Sequence, residues 1–160
     1  VVNQTQDIHL NGEEFLTFEV SPFLKVVLDD MAMVSDGVIT ARVKVIRGVS
    51  KEDFKALVSK SGNYDDSYLN MTDIQLFVSQ SSSCGYRARD ERWSNEIKYT
   101  GKEFETLFGQ TITITSNPKN PIPSGRKVFI RAAARINYDT PAGSGTKRWN
   151  YSETVEVDIP

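Results

Sequence analysis

Residues 128–138, VFIRAAARINY, alternate two kinds of side chain with a period of two over eleven residues. One set is entirely apolar or aromatic and contains Val128, Ile130, Ala132, Ala134, Ile136 and Tyr138. The other set includes Arg131, Arg135 and Asn137. Because successive side chains of a strand point to opposite faces of a sheet, this pattern predicts a long strand with one buried face and one wetter face.

The last segment of the chain has the same period. Its large side chains share one parity: Trp149, Tyr151, Val155, Val157 and Ile159. Residues 139–147, DTPAGSGTK, have the proline, glycine and serine content of a hairpin loop. We therefore predict two adjacent antiparallel strands. The parity places Tyr151 in the core with its hydroxyl at the edge, whereas Trp149, beside the loop, is either a core residue or an exposed one.

Shorter runs of the same kind recur earlier. They are rich in β-branched side chains and cover residues 37–48, 72–80 and 109–116. Residues 13–30 predict two short strands that separate at Ser21 and Pro22, because proline has no N–H to donate to a strand ladder. The total is about seven or eight strands with turn signals between them.

Two segments carry helical signals instead. Residues 50–62 begin at Ser50, whose hydroxyl can cap a helix, and two acidic side chains follow in the first turn. Residues 100–109 space Phe104 and its apolar neighbours as a helix does and end at Gly109. We expect each to cover an edge of the strand structure.

Together these elements predict an all-β fold: a two-sheet antiparallel sandwich, immunoglobulin/fibronectin-III-like, with one or two short helical turns. A chain of 160 residues with 39% hydrophobic residues is long enough for one domain with its own core. We assign residues 15–160 to this domain. Residues 1–14 are expected to be a linker or the tail of a preceding domain.

Charge and cysteine content exclude several classes of function. The net charge of −2 provides no general positive field for nucleic acid. No apolar run reaches the roughly 18 to 20 residues that a membrane helix needs. Cys84 is the single cysteine, so no disulfide forms within the chain, and a buried thiol is favoured over a reactive one.

Two tryptophans in charged stretches are the candidate ligand-binding residues. Trp93 lies in RARDERWSNEIKY, which is either a long charged connection or an edge strand, with Tyr86 nearby. Its ring either stacks on a sugar or covers the edge of the sandwich, and the second is favoured. Trp149 lies beside Arg148 and across the predicted hairpin from Arg135. These five side chains are our candidate site.

The surrounding basic residues admit two interpretations. They are Arg126, Lys127, Arg131, Arg135, Lys147 and Arg148. They form either a positive stripe for an acidic glycan or charges that keep an exposed sheet face soluble, and the second is favoured.

Catalytic, metal and cofactor sites are not predicted. His9 is the single histidine and lies in the expected linker, which disfavours a catalytic triad or a histidine metal site. Asp65 and Asp66 could contribute oxygens to Ca²⁺, but turn composition explains them better. We expect no enzyme activity.

Three segments carry a resemblance to a known family. They are FEVSPFLKV at 18–26, VFIRAAARIN at 128–137 and RWNYSETVEVDIP at 148–160. They resemble the C-terminal fibronectin-type-III-like domain of an uncharacterised lipoprotein family of Bacteroidetes. Members of that family are encoded beside Sus-like outer-membrane glycan-uptake machinery and carry an N-terminal carboxypeptidase-regulatory-like sandwich.

The resemblance implies a location and a role. It implies a lipoprotein of the bacterial cell envelope, surface-exposed or periplasmic, whose membrane contact is a lipid anchor upstream of this chain. It implies a noncatalytic module that binds a polysaccharide or oligosaccharide, or assembles with outer-membrane glycan-uptake proteins. The alternative is a structural spacer or protein-interaction domain with no ligand of its own. Fold alone does not decide between these roles.

Overall fold

The structure, a computed structural model, describes residues 22–29, 31–60, 62–140 and 146–160. The strands are β1 Leu24–Leu28, β2 Met33–Ser35, β3 Val38–Arg47, β4 Met71–Ser79, β5 Asn95–Lys98, β6 Thr111–Thr115, β7 Arg126–Ile136 and β8 Asn150–Ile159. One α-helix, α1, spans Lys51–Ser59, and a 3-10 helix spans Asp66–Leu69. The predicted linker at 1–14, His9 and the first strand predicted within 13–30 lie outside the described residues.

The first sheet is built around β3. Thr40 of β3 pairs with Met33 of β2 and with Thr115 of β6. Val43 pairs with Leu28 of β1 and with Ile112 of β6. Because a strand has only two edges, β6 runs along one edge of β3, and β1 and β2 follow one another along the other. All these pairings are antiparallel.

The second sheet has the strand order β5-β4-β7-β8, again antiparallel throughout. The predicted terminal hairpin is confirmed, since β7 and β8 pair from Arg126 and Ile159 up to Ala134 and Asn150. β5 is the edge strand that follows the charged stretch around Trp93. The two sheets confirm the predicted antiparallel sandwich.

The core lies between the sheets. Alternate side chains of β3, β4 and β7 are buried in one cluster: Ile39, Ala41, Val43, Val45, Ile74, Leu76, Val78, Val128, Ile130, Ala132, Ala134 and Ile136. The period of two in the sequence therefore identifies the inward face of each central strand. Trp93 belongs to the same cluster, with 4% of its surface exposed.

The helical segments close the open side of this core. The Ser50 hydroxyl accepts a hydrogen bond from the Asp53 N–H at 3.0 Å and caps α1 as predicted, and Phe54 of α1 is buried. Residues 101–109 form successive turns instead of a helix, because their hydrogen bonds span three residues, as in Leu107 N–H to Phe104 C=O at 2.9 Å. Phe104 is nevertheless buried.

A β-bulge in β8 reverses the predicted parity near the hairpin. Arg131 pairs with Thr154, whereas Ala133 pairs with Tyr151, so two residues of β8 lie opposite the single residue Ala132. Ser152 turns inward at the bulge and is buried, and its hydroxyl accepts a hydrogen bond from the Ala132 N–H at 3.0 Å.

The core placement predicted for Tyr151 is therefore wrong. Its side chain shares the outer face of the second sheet with Arg131, and 36% of it is exposed. One inserted residue moves every side chain that precedes it on the strand to the opposite face of the sheet. The predictions for Val157 and Ile159, which follow the bulge, are confirmed, since both are buried.

Candidate functional site

The outer face of the second sheet carries a groove of about 560 Å³. Its walls are residues 83–88, the outward side chains Arg131 and Arg135 of β7, and residues 146–149 with Tyr151. We call this space the outer groove. Four of the five candidate site residues line it, namely Tyr86, Trp149, Arg135 and Arg148.

The connection between β4 and β5 forms one wall because it folds back over the sheet. Cys84 packs with Phe77 of β4 and Ala133 of β7 in a small buried cluster. The Ser79 hydroxyl donates to the Ala88 carbonyl at 2.5 Å, and the Asp90 N–H donates to the Val78 carbonyl at 2.7 Å. These bonds place the exposed ring of Tyr86 above the sheet.

Arg131 joins that connection to β8. Its Nε donates to the Ser152 carbonyl at 2.7 Å and its Nη1 donates to the Cys84 carbonyl at 3.4 Å. Its guanidinium lies 4.5 Å from the ring centroid of Tyr151. The Tyr151 hydroxyl in turn accepts from the Tyr86 N–H at 3.4 Å. The bulge that turns Tyr151 outward therefore also helps to hold this wall.

Aromatic and cationic side chains contact one another across the groove. The rings of Tyr86 and Trp149 are stacked, with centroids 6.0 Å apart and an angle of 29°. The Arg135 guanidinium lies 4.0 Å from the Trp149 ring, and the Arg89 guanidinium lies 4.2 Å from the Tyr86 ring. Phe77 meets Trp149 edge-on at 5.6 Å. Such cation and ring contacts orient side chains that would otherwise move freely in solvent.

Asp73 fixes the position of Arg135. Its carboxylate accepts from Arg135 Nε at 2.7 Å and from Nη2 at 3.2 Å, a bidentate pair. Asp73 is only 2% exposed, and it also accepts hydrogen bonds from the Thr72 hydroxyl at 2.6 Å and the Gln75 amide at 3.0 Å. A buried carboxylate with this many donors holds the guanidinium beside Trp149.

Trp93 does not belong to the groove. Its ring is packed in the main core, so the interpretation as a sugar-stacking platform is wrong and the edge-covering one is confirmed. The Asn117 N–H donates to the Trp93 carbonyl at 2.8 Å and ties this segment to the turn after β6. Arg92 and Arg126 lie 5.1 and 5.6 Å from the ring and cover it from solvent.

The predicted basic stripe is only partly assembled. Arg131, Arg135, Lys147 and Arg148 line the outer groove. Arg126 lies against Trp93 instead, and Lys127 pairs with Glu156 at 2.6 Å. Sequence reasoning missed Arg87 and Arg89, which the folded-back connection brings to the groove or its rim, because no local pattern signals where such a connection folds.

A second groove of about 470 Å³ adjoins the first. Tyr86 and Arg135 line both grooves, but the second one also contains the carboxylates of Glu91 and Glu96. The Gln75 amide donates to Glu96 at 3.0 Å and to Asp73. The two sides of the Tyr86 ring therefore differ in charge.

The remaining reactive groups have structural roles. Burial raises the pKa of the Cys84 thiol to about 11, against the opposing influence of Arg131, so the thiol is protonated at neutral pH. Asp65 accepts a hydrogen bond from the Ser67 N–H at 2.7 Å, and its bonds to Ser67 lower its pKa. Within the described ranges, no three His, Cys, Asp or Glu side chains come together as a metal site.

Among the described residues, no helix is both long enough and apolar enough to cross a bilayer. α1, with nine residues, is far shorter than a membrane span.

Solved structures similar to this chain come from Bacteroides and Parabacteroides. A DUF3823 family protein from Bacteroides uniformis is 62% identical with a TM-score of 0.84, and the match covers 89% of this chain and 58% of that one. This match agrees with the resemblance of the sequence to an uncharacterised Bacteroidetes family. No family model and no curated protein matches the sequence. This chain spans less than two thirds of that DUF3823 protein.

Two more distant structures share the fold alone. A candidate carbohydrate binding protein from Bacteroides uniformis is 16% identical with a TM-score of 0.58, over 89% of this chain and 60% of that one. A DUF3823 family protein from Bacteroides ovatus is 15% identical with a TM-score of 0.53, over 88% of this chain and 56% of that one.

Proposed function

We propose that this chain is a noncatalytic module that binds a glycan in the outer groove. The observation that carries the proposal is that four of the five candidate residues lie together in one groove. Arg135, Arg148 and Trp149 belong to the terminal hairpin and Tyr86 to the connection between β4 and β5, and the fold brings all four to one groove. Aromatic rings with a few fixed polar groups are the usual composition of a small-ligand site.

The groove offers both kinds of contact that a sugar needs. Tyr86 is 45% exposed and Trp149 is half-buried, so ring surface is available to the C–H groups of a pyranose. The guanidinium and ammonium groups around the rings can donate hydrogen bonds to ring and hydroxyl oxygens. Arg135 reaches the groove already oriented by Asp73, which reduces the entropy lost when a ligand binds.

The comparisons add support of two kinds. One structure that shares the fold is described as a candidate carbohydrate binding protein. The DUF3823 structure at 62% identity is longer than this chain, which suits a module that works beside another domain. We place this module, as a fibronectin-type-III-like domain, in a surface-exposed or periplasmic lipoprotein that assembles with outer-membrane glycan-uptake proteins.

A spacer or protein-interaction domain remains the second candidate, and one observation favours it. Trp93 is buried, and Trp149 already contacts Phe77, Tyr86 and Arg135. Rings that are fully engaged with protein serve stability and do not need a ligand. The two candidates differ in whether any sugar changes the environment of Trp149.

Quenching of tryptophan fluorescence by acrylamide tests the proposal. Trp93 is buried, so quenching reports mainly on Trp149. The titrants are dextran, dextran sulfate, polygalacturonate and fully methyl-esterified polygalacturonate. We expect at least one of them to protect Trp149 saturably. Protection by none of them would reject glycan binding and leave the spacer.

Two substitutions at Tyr86 locate the binding. Tyr86→Ala removes the exposed ring and is expected to weaken binding about tenfold, a typical loss for an aromatic contact. Tyr86→Phe keeps the ring and is the matched variant that should bind as the parent does. Met31→Ala changes a side chain that is 72% exposed near the first sheet and should have no effect.

A further inference from the structure

We infer that the outer groove selects an anionic glycan, one whose sugar units carry carboxylate or sulfate groups. This inference rests on the proposed function and specifies its ligand. Among the described residues, the lining of the groove contains five cationic side chains, Arg87, Arg131, Arg135, Lys147 and Arg148, and no carboxylate. The whole chain has a net charge of −2, so this concentration of positive charge is local.

The cations of the groove differ in their pairing. Arg135 pairs with Asp73 at 2.7 Å and Lys147 with Asp139 at 3.3 Å. Arg42, Arg47 and Arg92 pair with carboxylates elsewhere on the surface in the same way. Within the part of the chain that the structure describes, Arg87 and Arg131 have no ion pair. Two charges at the groove are therefore not neutralised by a carboxylate there.

Arg131 has N–H groups that make no hydrogen bond with the described residues. A guanidinium has five N–H groups, and two of those of Arg131 go to backbone carbonyls, Ser152 and Cys84. These two bonds and the Tyr151 ring fix its plane. A fixed guanidinium with unused N–H groups suits the planar or tetrahedral oxygens of an anion better than it suits a hydroxyl.

Arg87 contributes an exposed positive charge to the groove. Its side chain is exposed at the rim of the groove, on the wall formed by residues 83–88. Charges at the rim attract an anionic ligand and make its binding sensitive to salt. The adjoining groove contains Glu91 and Glu96 beside Arg89 and Arg135, so its lining has no excess of positive charge to attract the same ligand. We therefore expect the anion to lie on the Trp149 side of Tyr86.

Two matched pairs of polymers test the inference. Dextran sulfate and dextran share a backbone, as do polygalacturonate and its methyl ester, and only the first of each pair is charged. Affinity is measured by calorimetry from low to high salt. We expect only the charged polymers to bind, with affinity that falls as salt increases. Binding of dextran sulfate alone would identify sulfate esters as the group recognised, and binding of polygalacturonate alone would identify carboxylates.

The other outcomes separate this inference from the proposed function. Equal binding of the neutral polymers would retain glycan binding and overturn the anionic preference. Binding of none of the four would overturn both. Poly-L-glutamate, which is anionic but contains no sugar, is the further control. If it binds as tightly as the charged glycans, the groove recognises charge alone and the glycan assignment is overturned.

Substitution of rim charges locates the interaction. Arg87→Gln together with Arg148→Gln is expected to weaken binding of the charged polymer about tenfold or more and to reduce its dependence on salt. Lys119→Gln removes one exposed charge from the turn after β6 and should change neither. The single variant Arg87→Gln is measured as well, in case the double variant folds poorly, since the exposed Arg87 side chain makes no hydrogen bond or ion pair with the described residues. Unchanged affinity in Arg87→Gln and in a folded double variant would overturn the location.

Discussion

Trp93 and Trp149 stand in similar sequence but in different parts of the molecule. The first lies in ARDERWSNEI and the second in GTKRWNYSET, both rich in charge. Trp93 is 4% exposed in the main core, whereas Trp149 is half-buried on the outer face against Phe77 and Tyr86. Charged neighbours in sequence therefore did not indicate which ring faces solvent.

The difference arises from what lies above each ring. The turn after β6 and two guanidiniums cover Trp93, and its burial is completed by the first sheet's core. Trp149 lies on the outer face of a single sheet, where, within the described ranges, the connection between β4 and β5 covers it through Tyr86. One tryptophan is therefore mainly a stability residue, and the other can also contact a ligand.

The largest expected effect tests this division directly. Trp93→Ala should lower the free energy of unfolding by about 3–5 kcal/mol, because it leaves a cavity in the core. Trp149→Ala should lower it by only about 1–2 kcal/mol, since the ring is half-buried and loses contacts that solvent partly replaces. Urea unfolding followed by circular dichroism measures both. Equal losses in the two variants would refute the division.

Asp73→Asn is expected to have the next largest effect. It removes the charge that pairs with Arg135 while leaving the guanidinium in place, and breaking a buried pair is costly. Because the Arg135 side chain is 31% exposed, we expect a loss of about 2–3 kcal/mol, below the full cost of a buried pair. Urea unfolding measures it, and the near-ultraviolet circular dichroism of Trp149 should change.

Asp29→Asn is the matched control for that change. Its partner Arg42 is 53% exposed, so the pair contributes about 0–1 kcal/mol. The Asn side chain can still accept the hydrogen bond that Asp29 receives from the Met31 N–H. A similar loss in the two variants would show that Asp73 does not hold Arg135 in the way that its contacts indicate.

Ser152→Ala tests the bulge that turns Tyr151 outward. The Ala132 N–H is buried and would lose its acceptor, which costs about 1–2 kcal/mol. Ser83→Ala, an exposed serine on the groove wall, is the control and should be neutral. Unfolding in urea compares the two. No loss in Ser152→Ala would mean that the bulge does not depend on this hydroxyl.

The smallest expected effect on stability comes from the Cys84 thiol, and it depends on pH. Burial raises the pKa of its thiol from 9.0 to about 11, so the folded state keeps a proton that the unfolded state releases in that interval. Stability should therefore decrease as pH rises from about 9 towards 11. The native thiol should also react slowly with a disulfide reagent at pH 8 and rapidly in urea.

Cys84→Ala is the matched variant. Other groups with raised pKa values stay in place in this variant, including Tyr99, whose pKa is raised by burial, and Lys98, whose pKa is raised by its hydrogen bond to Glu96. The decrease of its stability between pH 9 and 11 should be less steep than that of the parent. Identical slopes, or rapid modification of the native thiol, would contradict the burial of Cys84 beneath the groove.

Much of the sandwich was predictable because the central strands are regular. Val128 to Tyr138 and Ile39 to Val45 alternate without interruption, so period alone identified their buried faces. The Ser50 cap was also predictable from adjacent residues. β2 was not predicted as a separate strand, and the stretch that contains β5 was left open between a charged connection and an edge strand, because three or four residues carry too little pattern to stand out.

The candidate site was predictable in composition but not in assembly. Four of its five residues were identified because large aromatic side chains beside arginine are uncommon in a hairpin or a polar connection. Trp93 was placed there wrongly, and Arg87 and Phe77 were missed. Their positions depend on how residues 80–94 cross the sheet, and that path depends on contacts such as Ser79 with Ala88.

The sequence by itself determined that this chain forms an antiparallel sandwich with a strong terminal hairpin, since alternation is a local property of each strand. Only the tertiary structure decided that Tyr151 of β8, and Trp149 just before the strand, lie on the outer face of the sheet. That choice depends on the single bulge residue, held by a hydrogen bond between Ser152 and Ala132, twenty positions apart in the chain. A period of two in the sequence does not predict such a contact. One added residue moves the side chains before it from the core face of the sheet to the surface face.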